Sequence, residues 1–190
     1  MAPTDANTEE RGKTLLPIAR AAISVALGRT LEVAEDAVWL QELGACFVTL
    51  TQKGQLRGCI GTLEARRSLL ADVKANAVAA ALQDTRFSAL AVTELDQTDI
   101  EVSLLSAMQP MRFDTEAQAL TQLRPGIDGV LFEFGRYRST FLPQVWTQLP
   151  SATEFIAHLK YKAGLPPDFW TEGIRLQRYT VRTWKETEGT

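Results

Sequence analysis

The residue with the most chemistry open to it is Cys59, in the run Leu56-Arg57-Gly58-Cys59-Ile60-Gly61. A thiol reacts as its thiolate, and a neighbouring cation lowers the pKa that controls how much thiolate exists. Arg57 stands two residues before Cys59. Alternate side chains of an extended strand share a face, so the guanidinium is expected over the sulfur. Gly58 and Gly61 flank the thiol without side chains, which leaves backbone open to a ligand or a second strand. The competing reading makes Cys59 a small packed residue and the glycines the mark of a bulge or of tight helix packing.

A second constellation is Glu101, Ser103 and Arg86. Glu101 and Ser103 alternate along Asp99–Ser106 opposite Ile100, Val102 and Leu104, and Arg86 follows a helix that should cover the same sheet. A carboxylate, a hydroxyl and a guanidinium can hold a small anionic or zwitterionic ligand. The same residues can equally form a partly buried Arg–Glu pair that fixes the helix on the sheet. The usual base for a cysteine nucleophile is histidine, and the chain has one, His158. It lies at the border of a stripe made by Phe155, Ile156, Leu159 and Ala163, and reads as a surface or boundary residue.

These residues need elements to position them. Residues 1–13 are polar and read as a flexible leader, and residues 14–190 as one domain. Ile18, Ala19, Ala22, Ile23, Ala26 and Leu27 form one helical face, with Pro17 in the first turn and Gly28 as the stop. Strands Ala45–Gln52 and Gln55–Gly61 follow, joined by Lys53-Gly54 in a tight hairpin turn. Pairing Gln52 with Gln55 sets Val48 opposite Cys59 and Thr49 opposite Gly58. Cys46 then falls diagonal to Cys59 on one face, at about 7–8 Å, and both thiols are expected to be free.

Ser68 is the N-cap of a helix from Leu69 to Gln83, with an apolar stripe of Leu69, Leu70, Val73, Ala77, Ala80 and Ala81. A short helix over Thr115–Leu123 and a hairpin of Gly129–Phe134 with Tyr137–Leu142 come next. A helix over Thr153–Ala163, closed by Gly164, leads to a last strand over Ile174–Trp184. Hairpins mixed irregularly with helices predict an α+β fold with a mainly antiparallel sheet flanked by helices. Trp146, Trp170 and Trp184 read as packing residues.

The composition limits the function. A formal net charge of -3 argues against nucleic-acid binding through a broad positive surface. Arg175, Arg178, Arg182 and Lys185 read as the guarded edge of a strand. The run Leu15–Leu27 is too short and too interrupted to span a bilayer, which needs about 20 apolar residues. Two cysteines and no signal segment predict a cytoplasmic protein. One histidine argues against a metal site built on several, so no metal ligand is assigned. No phosphate loop and no Gly-rich dinucleotide fingerprint is present, and no cofactor is assigned.

Taken together, LRGCIG at Leu56–Gly61, FVTL at Phe47–Leu50, NAVAAALQDTRF at Asn76–Phe87, IEVSLL at Ile100–Leu105, FLPQV at Phe141–Val145 and KAGLP at Lys162–Pro166 resemble the AMMECR-type domain. In prokaryotes that family is known as AmmeMemoRadiSam system protein A. The resemblance implies two unequal lobes, with the signature hairpin in the larger one and facing a cleft. It also implies a Memo-like protein and a radical-SAM protein as partners, here as separate polypeptides. Two readings of the hairpin follow. In one, Cys59 and Arg57 are the catalytic or thiol-carrying pair, and Gly58, Gly61, Arg86, Glu101 and Ser103 bind a small-molecule ligand. In the other, the domain is an adaptor that docks one of those partners and Cys59 is packed.

Overall fold

Residues that alternate apolar and polar along the first hairpin need a helix layer on one side only. The computed structural model, which describes residues 5–186, supplies it from two helices. Helix α1 spans Asp5–Ala26. Strands β1 (Leu43–Gly44), β2 (Cys46–Gln52), β3 (Gln55–Gly61) and β4 (Arg67–Ser68) lead to helix α2 (Leu69–Leu82) and strand β5 (Asp99–Leu105). Strand β6 (Gln109–Pro110), helix α3 (Glu116–Thr121), strands β7 (Gly129–Phe134) and β8 (Tyr137–Phe141), helix α4 (Ala152–Lys162), and strands β9 (Arg175–Tyr179) and β10 (Val181–Lys185) complete the chain.

Two compact units result. The described residues up to Leu105, together with those from Arg182 onward, make the larger; Ser106–Val181 make the smaller. In the larger unit a four-stranded sheet runs β10-β5-β2-β3, with β2 antiparallel to both its neighbours. Both helices pack on one face of it. The core there holds Ile18, Ile23, Val48, Leu50, Val73, Ala77, Ile100 and Val102. Each fully buried Ile or Leu contributes about 1.5–3 kcal/mol. In the smaller unit an antiparallel sheet runs β6-β9-β7-β8. Its core holds Phe132, Trp146, Phe155, Leu159 and Leu176, with Trp146 stacked on Phe155 at 3.8 Å between ring centroids. The α+β class and the antiparallel pairing follow the expectation. No helix among the described residues is long and apolar enough to cross a membrane.

Three local expectations change. The stretch read as a flexible leader through residue 13 is helical from Asp5 onward, and residues 1–4 lie outside the described residues. The reason is tertiary: Gly12 lies flat against the Trp184 ring, where any side chain would collide. Pro17 consequently sits inside the helix instead of in its first turn. The expected single strand Ile174–Trp184 breaks at Thr180 into β9 and β10, which join different sheets. Ser106 takes both backbone groups of Thr180, its Oγ accepting the Thr180 N–H and its N–H donating to the Thr180 carbonyl, each at 2.9 Å. That exchange ends the ladder.

Candidate functional site

The hairpin turn forms as its sequence requires, with Lys53 at φ 51 and Gly54 at φ 76. Gln52 pairs with Gln55 and Thr51 with Leu56. Then the register shifts: Leu50 pairs with Gly58, Thr49 with Cys59 and Val48 with Ile60. Arg57 is the extra residue of a β-bulge. A one-residue slip moves every later side chain to the other face. The expected pairing of Cys59 with Val48 is therefore corrected to Thr49. Cys46 is fully buried in the core on the helix side, whereas Cys59 lies half-buried on the side turned away from α2. Both thiols are free, but they do not share a face.

The bulge needs its glycine. Gly58 now points at α2, so near the Ala80 carbonyl that a β-carbon would overlap it. Gly61 faces the Phe47 ring with equal lack of room. Neither glycine is left open for a ligand's approach; both are spaces already filled, by a helix and by an aromatic ring.

The bulge also redirects Arg57. Its Nε and Nη2 donate to the two Glu94 oxygens at 3.2 Å each, and Nη1 donates to the Ser88 carbonyl at 2.8 Å. Gln52 Nε2 donates to the same Glu94 at 3.3 Å. Glu94 also accepts the Ala91 N–H, and that bond, followed by the one from Arg57, holds its carboxyl below the ordinary value. Arg57 thus secures the hairpin end to the loop after α2 instead of covering the sulfur.

The guanidinium that reaches Cys59 belongs to Arg86. Strand β3 is a sheet edge, and at Cys59 its outward backbone groups need partners. Asp84 Oδ2 accepts the Cys59 N–H at 2.9 Å, and Arg86 Nη2 donates to the Cys59 carbonyl at 3.2 Å. Arg86 also donates from Nε and Nη2 to Asp84, at 2.9 and 2.7 Å. The Arg86 bonds, then the Cys59 N–H, hold the Asp84 carboxyl well below the usual carboxylate range. An Asp-Thr-Arg turn therefore clamps the cysteine peptide as a neighbouring strand would. Asp84 was not singled out from sequence; its signal is a carboxylate two residues before an arginine, just past a helix end.

On the face away from α2, the register lines up one row across three strands: Cys59, Thr49 and Glu101. Thr49 Oγ1 donates to Cys59 Sγ at 3.4 Å. Glu101 pairs with Lys185 at 3.0 Å. The next row holds Gly61, Phe47 and Ser103, and the Ser103 and Thr183 hydroxyls meet at 2.9 Å. Cys59, Glu101 and Ser103 are thus brought to one face, Arg86 touches only the backbone of that strand, and Arg57 points elsewhere. Thr49 and Lys185 join the group without having been singled out; an alternation reading that includes the bulge would have found Thr49. His158 is exposed in the smaller unit.

The helix-facing side carries a different polar cluster. Asp72 is 1% exposed and accepts from the Cys46 N–H at 2.9 Å, Thr62 Oγ1 at 2.6 Å, Asn76 Nδ2 at 3.0 Å and Arg67 Nε at 2.8 Å. Both oxygens of that carboxylate have donors, three on Oδ2 and one on Oδ1, as burial demands. Burial, with the Asp72 charge adding to it, pushes the Cys46 thiol far up. That sulfur is inert while the protein is folded. Among the described residues no three His, Cys, Asp or Glu side chains stand together as a metal-binding group.

Comparison with known proteins places the whole arrangement. The AMMECR1 family model matches residues 16–184, which takes in both units. A protein of Methanothermobacter thermautotrophicus is 38% identical over 185 residues, 94% of this chain and 96% of its own. Protein MJ0810 of Methanocaldococcus jannaschii is 34% identical over 186 residues, 95% of this chain and 92% of its own. The crystal structure of the uncharacterized protein PH0010 from Pyrococcus horikoshii matches with a TM-score of 0.79 at 32% identity, covering 93% of this chain and 92% of that one. With the fold, the hairpin and the match all spanning the same residues, the chain belongs to the AMMECR1 family.

Proposed function

We propose that the face of the β2–β3 hairpin turned away from α2 is a small-ligand site in which the Cys59 sulfur meets the ligand. The observation that carries this reading is the bulge at Arg57, which turns the thiol out of the core and away from the helix. A cysteine kept only for packing needs no such device. The clamp from Asp84 and Arg86 fixes the peptide, and the Thr49 hydroxyl fixes the sulfur; preorganisation of this kind favours a reacting or ligand-contacting group. In this reading Cys59 is the nucleophile or transient thiol carrier. Glu101, with Lys185, offers the polar contact for a ligand with acidic and basic groups, and Ser103, buried against Thr183, backs the next row. Arg57 and Arg86 serve as positioning residues.

The test is alkylation of the native protein across pH, with each cysteine followed by peptide mass spectrometry. Cys59 should label rapidly in the native protein, while Cys46 labels only in denaturant and so reports folding in the same tube. Labelling of Cys59 confined to the denatured chain would overturn the site reading. It would favour the adaptor reading, in which the hairpin docks a Memo-like or radical-SAM protein.

A further inference from the structure

The smaller unit holds a pocket that the hairpin reading does not use. Its walls are the rings of Phe113, in the loop between β6 and α3, and Trp170, in the loop between α4 and β9. The ring centroids are 5.6 Å apart and the planes are tilted by 50°, so the two rings meet at an angle on one side of the pocket. Ile174, 7% exposed, is part of the lining, and Asp114 and Glu172 line it as well. The space is about 470 Å³ and open to solvent on one side, within the usual range for small-ligand sites.

Three features separate this pocket from ordinary packing. Phe113 and Trp170 are half-buried, each packed on the core on one side and lining the opening on another. Asp114 and Glu172 are exposed, and among the described residues neither carboxylate has a hydrogen bond or an ion pair. Trp170 already serves as a cation acceptor: Lys160 Nζ lies 5.8 Å from its centroid. That ammonium is neutralised by Glu116 at 2.8 Å, so it does not cancel the charge of the rim. A tilted aromatic pair beside two free carboxylates is the chemistry that holds an alkylated ammonium, which is too poorly hydrated to prefer water and too charged for an apolar hole.

A groove of similar size adjoins the pocket and shares Phe113, Asp114 and Ile174 with it. It is lined by Arg112 and Arg175, and the latter approaches Glu133 only at 3.9 Å. Cation-accepting and anion-accepting walls thus stand side by side. We propose that this pocket binds a small zwitterion, with its alkylated ammonium against Phe113 and Trp170 and its acidic group toward Arg112.

Three probes separate the contributions: glycine betaine, choline, and 3,3-dimethylbutanoate, which keeps the shape and the carboxylate of betaine but replaces the charged nitrogen with carbon. Binding to the full chain is followed by saturation-transfer NMR and calorimetry. Betaine is expected to bind saturably, with choline weaker and 3,3-dimethylbutanoate weaker by about tenfold or more. Trp170→Ala should abolish binding, and the double change Asp114→Asn with Glu172→Gln should weaken betaine about tenfold while the thermal melt stays put. Equal binding of 3,3-dimethylbutanoate, or no saturable betaine binding up to about 10 mM, overturns the proposal. Because Trp170→Ala risks the fold of its loop, the Asp114/Glu172 pair, which leaves the rings intact, decides the case.

Discussion

The two faces of the larger unit's sheet carry one cysteine each and treat them in opposite ways. Cys46 sits under α2 in a saturated network: Asp72 binds its N–H, and Asn76 Nδ2 donates to its carbonyl at 3.0 Å. Cys59 sits on the other face, its peptide fixed from the strand edge and its sulfur touched by one hydroxyl. Asp72 and Asn76 on the first face are buried and consumed; on the second, Ser103 is buried against Thr183, but Cys59 and Glu101 are only partly buried. The same residue type is thus structural on one face of the sheet and a candidate for chemistry on the other, and burial with satisfied partners makes the difference.

Substitutions sharpen that contrast. The largest loss is expected from Asp72→Ala, which takes the acceptor from four donors, the Cys46 N–H and the Asn76 amide among them buried. It should cost about 3–5 kcal/mol, as leaving more than one buried donor unsatisfied at about 1–3 kcal/mol each does. Urea unfolding would show this as a fall in midpoint with an unchanged slope, and a loss below about 1 kcal/mol would mean that the network is not what holds α2 to β2. Next comes Gly58→Ala. Its new β-carbon meets a helix carbonyl, not a flexible side chain, so α2 must lift or the bulge must slide, at about 1–3 kcal/mol. If the bulge slides, Cys59 turns inward and native labelling of it stops, so one variant checks both the stability and the facing.

A smaller, local effect belongs to Asp84→Asn. Amide exchange at Cys59 should quicken because the clamp loses its charged acceptor. The pH dependence has a definite sign. The folded-state pKa of Asp84 is depressed, so its contribution is complete above the ordinary carboxylate range and is lost as pH falls through the depressed value. The Asp84 carboxyl resonance should stay in its ionised position in acid that already protonates the exposed carboxylates; an ordinary midpoint would show an open clamp. The smallest change is Thr49→Val, worth under about 1 kcal/mol in stability. It should still change the rate at which Cys59 is alkylated in the native protein, since the hydroxyl bonded to the sulfur is gone. Arg57→Ala, in contrast, should leave that rate in place, because its guanidinium serves Glu94.

Much of the fold was legible along the chain. Alternation marked β2, β3 and β5; Ser68 marked the start of α2, and its Oγ accepts the Ala71 N–H at 3.3 Å. Gly28 and Gly164, both at positive φ, close their helices as their positions suggested. Asp72 and Asn76, by contrast, interrupt an alanine-rich stripe at i, i+4 spacing and were passed over, because periodicity ranks polar residues as solvent-facing. Their burial depends on Thr62, Arg67 and Cys46 arriving from other segments. The first turns of α1 were missed for the same reason: the Trp184 ring that anchors Gly12 is far away in sequence.

Residue types and spacing alone determined that this chain makes an antiparallel α+β fold and that a glycine-flanked cysteine lies on its first hairpin. Which way that cysteine points was decided only by the folded molecule. Side chains on a strand alternate, so facing depends on the count of residues to the turn, and one bulged residue inverts the answer. Gly58 accepts the close approach of α2 where a larger residue would not, and that contact, made across the fold, selects the bulged register.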